Sequence, residues 1–476
     1  MNIVVLNGSP KGDMSVTMQS IEYLKLEFPG ENIEIINIAE KLNAIEKDPA
    51  FFNDILVKID RSDGVLWAFP LYHLLVHSNY KRFIELLFER GAKKTLEGKY
   101  CASFSTSIHF SDNTAHNYIE GIACDLGMRF ADSFSAEMND LTIPGERKRL
   151  TAFFRNFLHT IGTKAPTAQR FAPLRPNKTI YTSSLPAGGI ATGKKITVVT
   201  DVYNPESNIG RMIDAFRGRF AVKPALAVLS DCNIKGGCLG CCHCGPDSIC
   251  AYDKGDDFRE FYEENILRSD IVIIAGEMKD RYFSHQIKRM FDRSFYKTHI
   301  PVLAGKQMGY LVSGPLSQEF NFRTMMEFYP DMEEANLFGI VSDESGNSGE
   351  IDAQIAGMSE NAVRFAESGY IRPSTFLGVG GRKVFRDSIY GRMRLVFHAD
   401  YRYYKKHRMF DFPQKQLGTR LTNFFLYPIL RIKQAKEAFQ KMMKTGMILS
   451  HQKVLKKFRR TQTAELSQVQ AGVEKA

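Results

Sequence analysis

Residues 2–17 read NIVVLNGSPKGDMSVT. The run Asn2–Asn7 is apolar without alternation, the pattern of a strand buried on both faces, and Gly8-Ser9-Pro10 after it is turn chemistry. A helical pattern opens at Ser15 and runs to about Phe28. Outward from this unit, the text predicts strands over Asn32–Ile38, Gly64–Phe69 (GVLWAF), Lys99–Ser105 and from near Met128. Helices are expected around Tyr80–Arg90 and over Thr114–Leu126. Strands alternating with helices imply right-handed crossovers and a parallel sheet covered on both faces, an α/β fold.

Between Gly162 and Lys194 periodicity gives way to Pro, Thr, Ser and Gly (KAPTAQRFAPLRP, SSLPAGGIATG), a linker or a strap over the surface. The order then restarts. Strands are expected at Lys195–Thr200, Pro224–Leu229, Asp270–Ala275, Gln307–Ser313 and Leu337–Val341, with helices between them and a long one over Ile351–Glu367. A repeat of nearly 190 residues suggests one architecture used twice. The expected organisation is therefore a first doubly wound domain over 1–162, a linker over 163–194, a second over 195–371 and an extension over 372–476.

That extension is set apart by charge. Between Arg372 and Arg460 stand 22 Lys and Arg against 4 Asp and Glu, in a chain of 476 residues with net charge +10. Helices are expected at Ile429–Met443 and Gln452–Arg460. Three readings stay open: aromatics packed on the two domains with the cations solvated, a docking surface for an acidic electron-transfer protein such as a ferredoxin, or an anionic membrane surface. No nucleic-acid recognition motif accompanies the charge. The start of the chain has no basic, signal-like region and no apolar run is long enough to span a bilayer, so a cytoplasmic protein, peripheral to a membrane at most, is expected.

Six of the eight cysteines lie between Cys232 and Cys250. Cys238, Cys241, Cys244 and Cys250 form C-x2-C-x2-C-x5-C, in which closely spaced thiolates can wrap one side of a cubane and the last closes it. Structural zinc sites more often pair two separated knuckles, so this compact run favours an iron–sulfur cluster over zinc. Cys232 and Cys242 are left as spare thiols, and His243 is read as a surface residue or a proton-transfer group.

In the first domain, Gly8 permits a tight turn, while Ser9, Lys11, Ser15 and Thr17 surround a helix start, an anion cradle at the carboxyl edge of the sheet. A plain capped turn explains the same residues equally well. Gly64–Phe69 ends in Pro70-Leu71-Tyr72-His73, with Lys81 beyond it, and Ser105-Thr106-Ser107 follows the next strand.

GSPK with S-x-T, then AFPLYH, resembles the NAD(P)H-dependent FMN reductase branch of the flavodoxin-like fold. The resemblance implies two tandem flavodoxin-like domains, with FMN phosphate near Ser9, Lys11, Ser15 and Thr17 and its ring near Pro70, Leu71, Tyr72 and His73. The cysteine run resembles that of the iron–sulfur flavoproteins in the same family and implies a 4Fe–4S cluster on Cys238, Cys241, Cys244 and Cys250. The second domain departs from the family pattern. Its ring loop reads Glu277-Met278-Lys279, and Asp201 and Glu206 would repel a phosphate, so flavin is expected in the first domain and the cluster in the second, with flavin on both domains left open. The implied function is an oxidoreductase passing electrons from NAD(P)H or a reduced partner through FMN and the cluster. A non-catalytic carrier docking a ferredoxin-like partner and a zinc-stabilised interaction protein are the alternatives. Relatives bring flavin and cluster of different subunits together, so a homo-oligomer stays open alongside an internal contact.

Overall fold

The computed structural model describes residues 1–411 and 416–473. The first sheet comprises β1 (Asn2–Asn7), β2 (Asn32–Asn37), β3 (Gly64–Pro70), β4 (Tyr100–Ser107) and β5 (Arg129–Glu137), in the order β2-β1-β3-β4-β5. The second comprises β6 (Ile196–Thr200), β7 (Ala225–Val228), β8 (Ile271–Glu277), β9 (Gln307–Ser313) and β10 (Asn336–Ser342), in the order β7-β6-β8-β9-β10. Every pairing is parallel, and the two orders are the same. This is the doubly wound, flavodoxin-like α/β fold. In each sheet the chain reverses direction beside the first strand, so the loops leaving β1 and β3 diverge and open a crevice at the carboxyl edge.

Local chemistry explains the leading elements. Residues 3–7 of β1 are all buried, as an unalternating apolar strand requires. Ser15 caps the helix Val16–Glu27 by accepting from the Met18 N–H at 3.2 Å, and Ser207 does the same for Asn208–Gly218 through Gly210. The 163–194 segment carries almost no regular structure, yet it is pinned. Asp352 accepts hydrogen bonds from the Tyr181 and Ser183 hydroxyls and from Ser184, fastening the strap to the second sheet's helix Ser348–Ser368.

The chain divides into two compact units, Met1–Met409 and Phe410–Ala476. The basic extension is thus not one region. Helices Phe376–Tyr390 and His398–Lys406 belong with the two sheets, because Ile389, Phe397 and Tyr404 are buried there. The second unit holds helices Leu417–Ile429 and Lys433–Val473; the helix expected over 429–443 is broken just after Pro428, and the one expected over 452–460 is part of a longer element.

The two halves of the first unit meet through the helices Ser78–Glu89 and His285–Ser294, which exchange caps. Glu85 accepts from the His285 backbone N–H at 2.7 Å, and Asp292 accepts from the Ser78 N–H at 2.7 Å. One turn earlier on each helix a lysine neutralises its own carboxylate, Lys81 with Glu85 and Lys288 with Asp292. Lys81 also pairs with Asp280 at 2.8 Å, while Lys288 donates to the Tyr72 carbonyl at 2.9 Å. Burial by itself would raise the Glu85 carboxyl, but Lys81 and His285 outweigh it and hold the group well below the usual carboxylate range. All four charged side chains are at most 5% exposed, so each depends on its partners for solvation.

Replacing Glu85 with Ala strands Lys81 and uncaps the partner helix. E85A should lose about 3–5 kcal/mol of unfolding free energy by urea titration, whereas the exposed-helix control Lys25→Ala should lose under about 0.5 kcal/mol.

Candidate flavin site and cysteine loop

Gly8 leaves β1 with its N–H on the Ala68 carbonyl at 2.7 Å, and a Cβ there would stand 2.7 Å from Tyr80 and 2.9 Å from Phe69. Only glycine lets the turn lie this close to β3. Ser9 is buried beneath the loop, its N–H on Asn7 Oδ1 at 2.9 Å and its Oγ accepting from the Lys11 N–H at 3.2 Å. Thr17 and Thr106 share a hydroxyl–hydroxyl bond of 2.6 Å, tying the first helix to the loop after β4.

The loop after β3 is a two-residue reversal. Tyr72 and Leu75 exchange backbone hydrogen bonds of 2.8 and 2.9 Å, and both residues between them, His73 and Leu74, have positive φ (38° and 64°). Neither is glycine, so the turn stores strain of about 1–3 kcal/mol per residue, which the surrounding packing has to hold. Burial lowers the His73 pKa to about 3, with Lys288 adding to the effect, so the ring is neutral.

A cavity of about 320 Å³ opens between these loops. Lys11, Ser15, Thr17, Pro70, Leu71, Tyr72 and His73 line it; Ser9 does not, acting instead through the backbone of Lys11. The cavity has the volume of a small-molecule site, a hydroxyl- and ammonium-rich end and a flat Pro-Leu-Tyr wall. That donor set fits a phosphate at one end and a planar ring at the other.

Residues 1–134 match the family of NADPH-dependent FMN reductases. No curated protein sequence matches the chain. Among solved structures, apo NADH:FMN oxidoreductase (EMOB) is 17% identical with a TM-score of 0.30, covering 36% of this chain and 97% of that one. The FerB NAD(P)H:(acceptor) oxidoreductase from Paracoccus denitrificans is 18% identical, TM-score 0.29, covering 34% and 97%. An FMN-dependent NADH-azoreductase from Bacillus anthracis, in complex with FMN, is 17% identical, TM-score 0.25, covering 35% and 100%. The fold assignment rests on strand order and register and not on these likenesses.

The reductase-like domain does not close its cavity alone. The cysteine loop of the second half lies over the Tyr72 turn: Gly240 has φ 63°, and a Cβ on it would stand 2.3 Å from the Tyr72 hydroxyl. His77 of the first half reaches the Cys238 carbonyl through Nε2 at 2.8 Å. Gly240 and Cys242 line the flavin-site cavity, and so do Phe295, His299 and Glu333 from the second half and Arg382, Phe385 and Phe397 from the extension. Which residues form this far wall was not readable from the sequence. The one signal pointing to it was the aromatic-rich text after Phe376.

Cys238, Cys241, Cys244 and Cys250 line a second, smaller cavity of about 20 Å³ that shares Gly240, Cys242 and Phe295 with the first. Among the described residues, however, no group of three or more His, Cys, Asp or Glu could hold a metal ion as placed. The four expected ligands thus share one cavity without forming an assembled metal-ligand group. Two of the four thiols take separate partners. Burial pushes Cys244 up to about 12 and Cys238 higher still; Cys244 Sγ donates to the Phe295 carbonyl at 3.6 Å, and Cys238 Sγ accepts from the Gly240 N–H at 3.4 Å. In the second half, Asp201 is buried at the end of β6 and Glu206 pairs with Arg211 at 2.9 Å.

Glu333, on the cavity wall, is raised from its ordinary 4.5 to about 8, chiefly by burial and further by Glu334, against a hydrogen bond from the Leu303 N–H. Its folded pKa lies above its unfolded one, so the folded chain holds a proton that the unfolded chain has released between those values. Stability should be full below about pH 4.5, fall as pH rises toward about 8 and level off beyond it. Urea unfolding of wild type and Glu333→Gln across this range should show the decline in wild type and a flatter profile in the variant.

Proposed function

We propose that the chain is an FMN-dependent NAD(P)H oxidoreductase whose cysteine loop carries a 4Fe–4S cluster. The observation that carries the flavin reading is the convergence of seven of the eight expected residues on one cavity, at the switch point of a sheet whose first 134 residues match the FMN reductase family. Lys11, Ser15 and Thr17 would bind the phosphate, and Pro70, Leu71, Tyr72 and neutral His73 would flank the ring. FMN, when bound, supplies two-electron acceptance from a reduced nicotinamide and release in single steps. The far wall excludes water from the ring, and the strained His73-Leu74 turn holds the ring-facing backbone in one conformation.

The cluster reading is supported by the C-x2-C-x2-C-x5-C spacing and by the shared cavity of the four residues, one of whose sulfurs already accepts a backbone N–H. The loop's contact with Tyr72 would put cluster and ring side by side, the arrangement single-electron transfer requires.

Protein purified without oxygen should show flavin bands on a broad brown shoulder, with about four irons per chain by assay. K11M should weaken FMN binding about 10- to 100-fold while keeping iron, since it removes one charge-assisted bond. C241S should lose iron and keep flavin. Colourless protein containing zinc would overturn both cofactor assignments. Steady NAD(P)H oxidation with an artificial acceptor marks an enzyme; its absence in flavin-loaded protein marks a carrier for a ferredoxin-like partner.

The unit 410–476 favours a peripheral contact with an anionic lipid surface. No helix among the described residues is long and apolar enough to cross a membrane, but Leu421, Phe424 and Phe425 are exposed on Leu417–Ile429 within the basic segment. The full chain should co-sediment with phosphatidylserine-containing vesicles and not with phosphatidylcholine alone, and a chain ending at Met409 should lose that binding. Equal binding to both vesicle types would reject an electrostatic contact.

A further inference from the structure

One histidine on the far wall of the cavity is held in a way that neither packing nor the flavin reading accounts for. His299 follows the short helical turn Phe295–Lys297, and its side chain is only 6% exposed. Its Nδ1 lies 2.7 Å from Asp400 Oδ2, and Asp400, on the helix His398–Lys406, is wholly buried. The same carboxylate accepts from the Thr298 hydroxyl and from the His299 backbone N–H. The Tyr404 hydroxyl donates to the His299 carbonyl at 2.8 Å. The extension therefore grips this residue at three points. Three rings surround the imidazole: Phe385 with its centroid 4.2 Å away, Phe397 at 4.8 Å and Phe295 at 5.2 Å.

A carboxylate on Nδ1 sets the tautomer, so that Nδ1 carries a proton and Nε2 is left as the working nitrogen. Among the described residues Nε2 has no hydrogen-bond partner, and His299 lines the same cavity as Tyr72 and Thr106 on the flavin loops. A buried Asp on a His that lines a mostly apolar cavity is the arrangement of a general acid, with the carboxylate steadying the ring.

We propose that His299, positioned by Asp400, is the proton donor of an acceptor site built by the second half and the extension opposite the flavin loops, and that this site takes a planar conjugated carbonyl compound. The inference rests on the flavin reading above. The acceptor stacks among Phe295, Phe385 and Phe397 with its oxygen on His299 Nε2. FMN, when bound and reduced, would supply such a carbonyl with a hydride, two electrons and one proton, leaving an enolate or alkoxide. His299 in its protonated form gives that oxygen a proton and becomes neutral, and solvent restores the proton when product leaves. The net change is two electrons and two protons onto the acceptor, with nicotinamide as the ultimate reductant. Phe295, Phe385 and Phe397 set specificity for flat substrates, and Asp400 acts only through His299.

The test uses flavin-loaded full-length protein and 1,4-naphthoquinone as the probe, with binding to the oxidised protein read from perturbation of the flavin absorbance. In H299Q, which keeps an N–H donor but no titrating proton, kcat should fall about 100-fold while the Kd for naphthoquinone changes less than about threefold. H299A should weaken that Kd about tenfold, and D400N should lower kcat with flavin content retained. Wild-type kcat in H299Q, or unchanged naphthoquinone binding in H299A, would overturn the proposal alone. Wild-type protein that takes up no flavin would overturn it together with the reading beneath it.

Discussion

The exchange of caps between Ser78–Glu89 and His285–Ser294 is the interaction on which the rest of the arrangement depends. Each helix would otherwise present unsatisfied N–H groups and a buried carboxylate to its neighbour. Docked, Glu85 and Asp292 answer the donors of the opposite helix while Lys81 and Lys288 neutralise them, at the same offsets along the two helices. The pairing is internally two-fold, and it sets the carboxyl edge of the first sheet against the second half of the chain. Without that alignment the Lys288–Tyr72 bond, and the turn it steadies, would have no anchor.

From this alignment follows the division of labour around the cavity. The first sheet contributes a polar end and a flat wall through loops at its switch point. The second half contributes the cysteine loop, which approaches Tyr72 so closely that Gly240 admits no side chain. The extension then packs over both: the Ala399 N–H donates to the Gly245 carbonyl at 3.0 Å, and Asp400 fastens His299. A strained turn, a glycine contact and a buried His–Asp hydrogen bond thus converge around one cavity, and strain persists only where surrounding packing over-determines it.

The two sheets share an order but not a chemistry. At the first, Ser15 and Thr17 open the helix beside Lys11; at the second, the corresponding turn carries Asp201 and Glu206. Equivalent positions of one fold thus carry residues of opposite charge, Lys11 at the first sheet and Asp201 with the Arg211-paired Glu206 at the second.

By itself the sequence determined what depends on neighbours in the chain. Strand and helix order, the turn at Gly8, the caps at Ser15 and Ser207 and the cysteine spacing are local patterns, with periods or motifs a few residues long, and they were legible. So was most of the first half's share of the cavity lining, because Ser15, Thr17 and Pro70–His73 follow strand ends. The paired helices Ile38–Lys47 and Pro49–Arg61, the split of the basic extension and the separate partners of the cysteine thiols were not. Tertiary structure alone decided which distant groups meet. Asp292 and Ser78 are 214 residues apart, Lys81 and Asp280 199, His299 and Asp400 101. A contact across such a span leaves no periodicity in the text, because either partner read alone is an ordinary polar residue. Only burial against the other makes it a cap, an anchor or an acid.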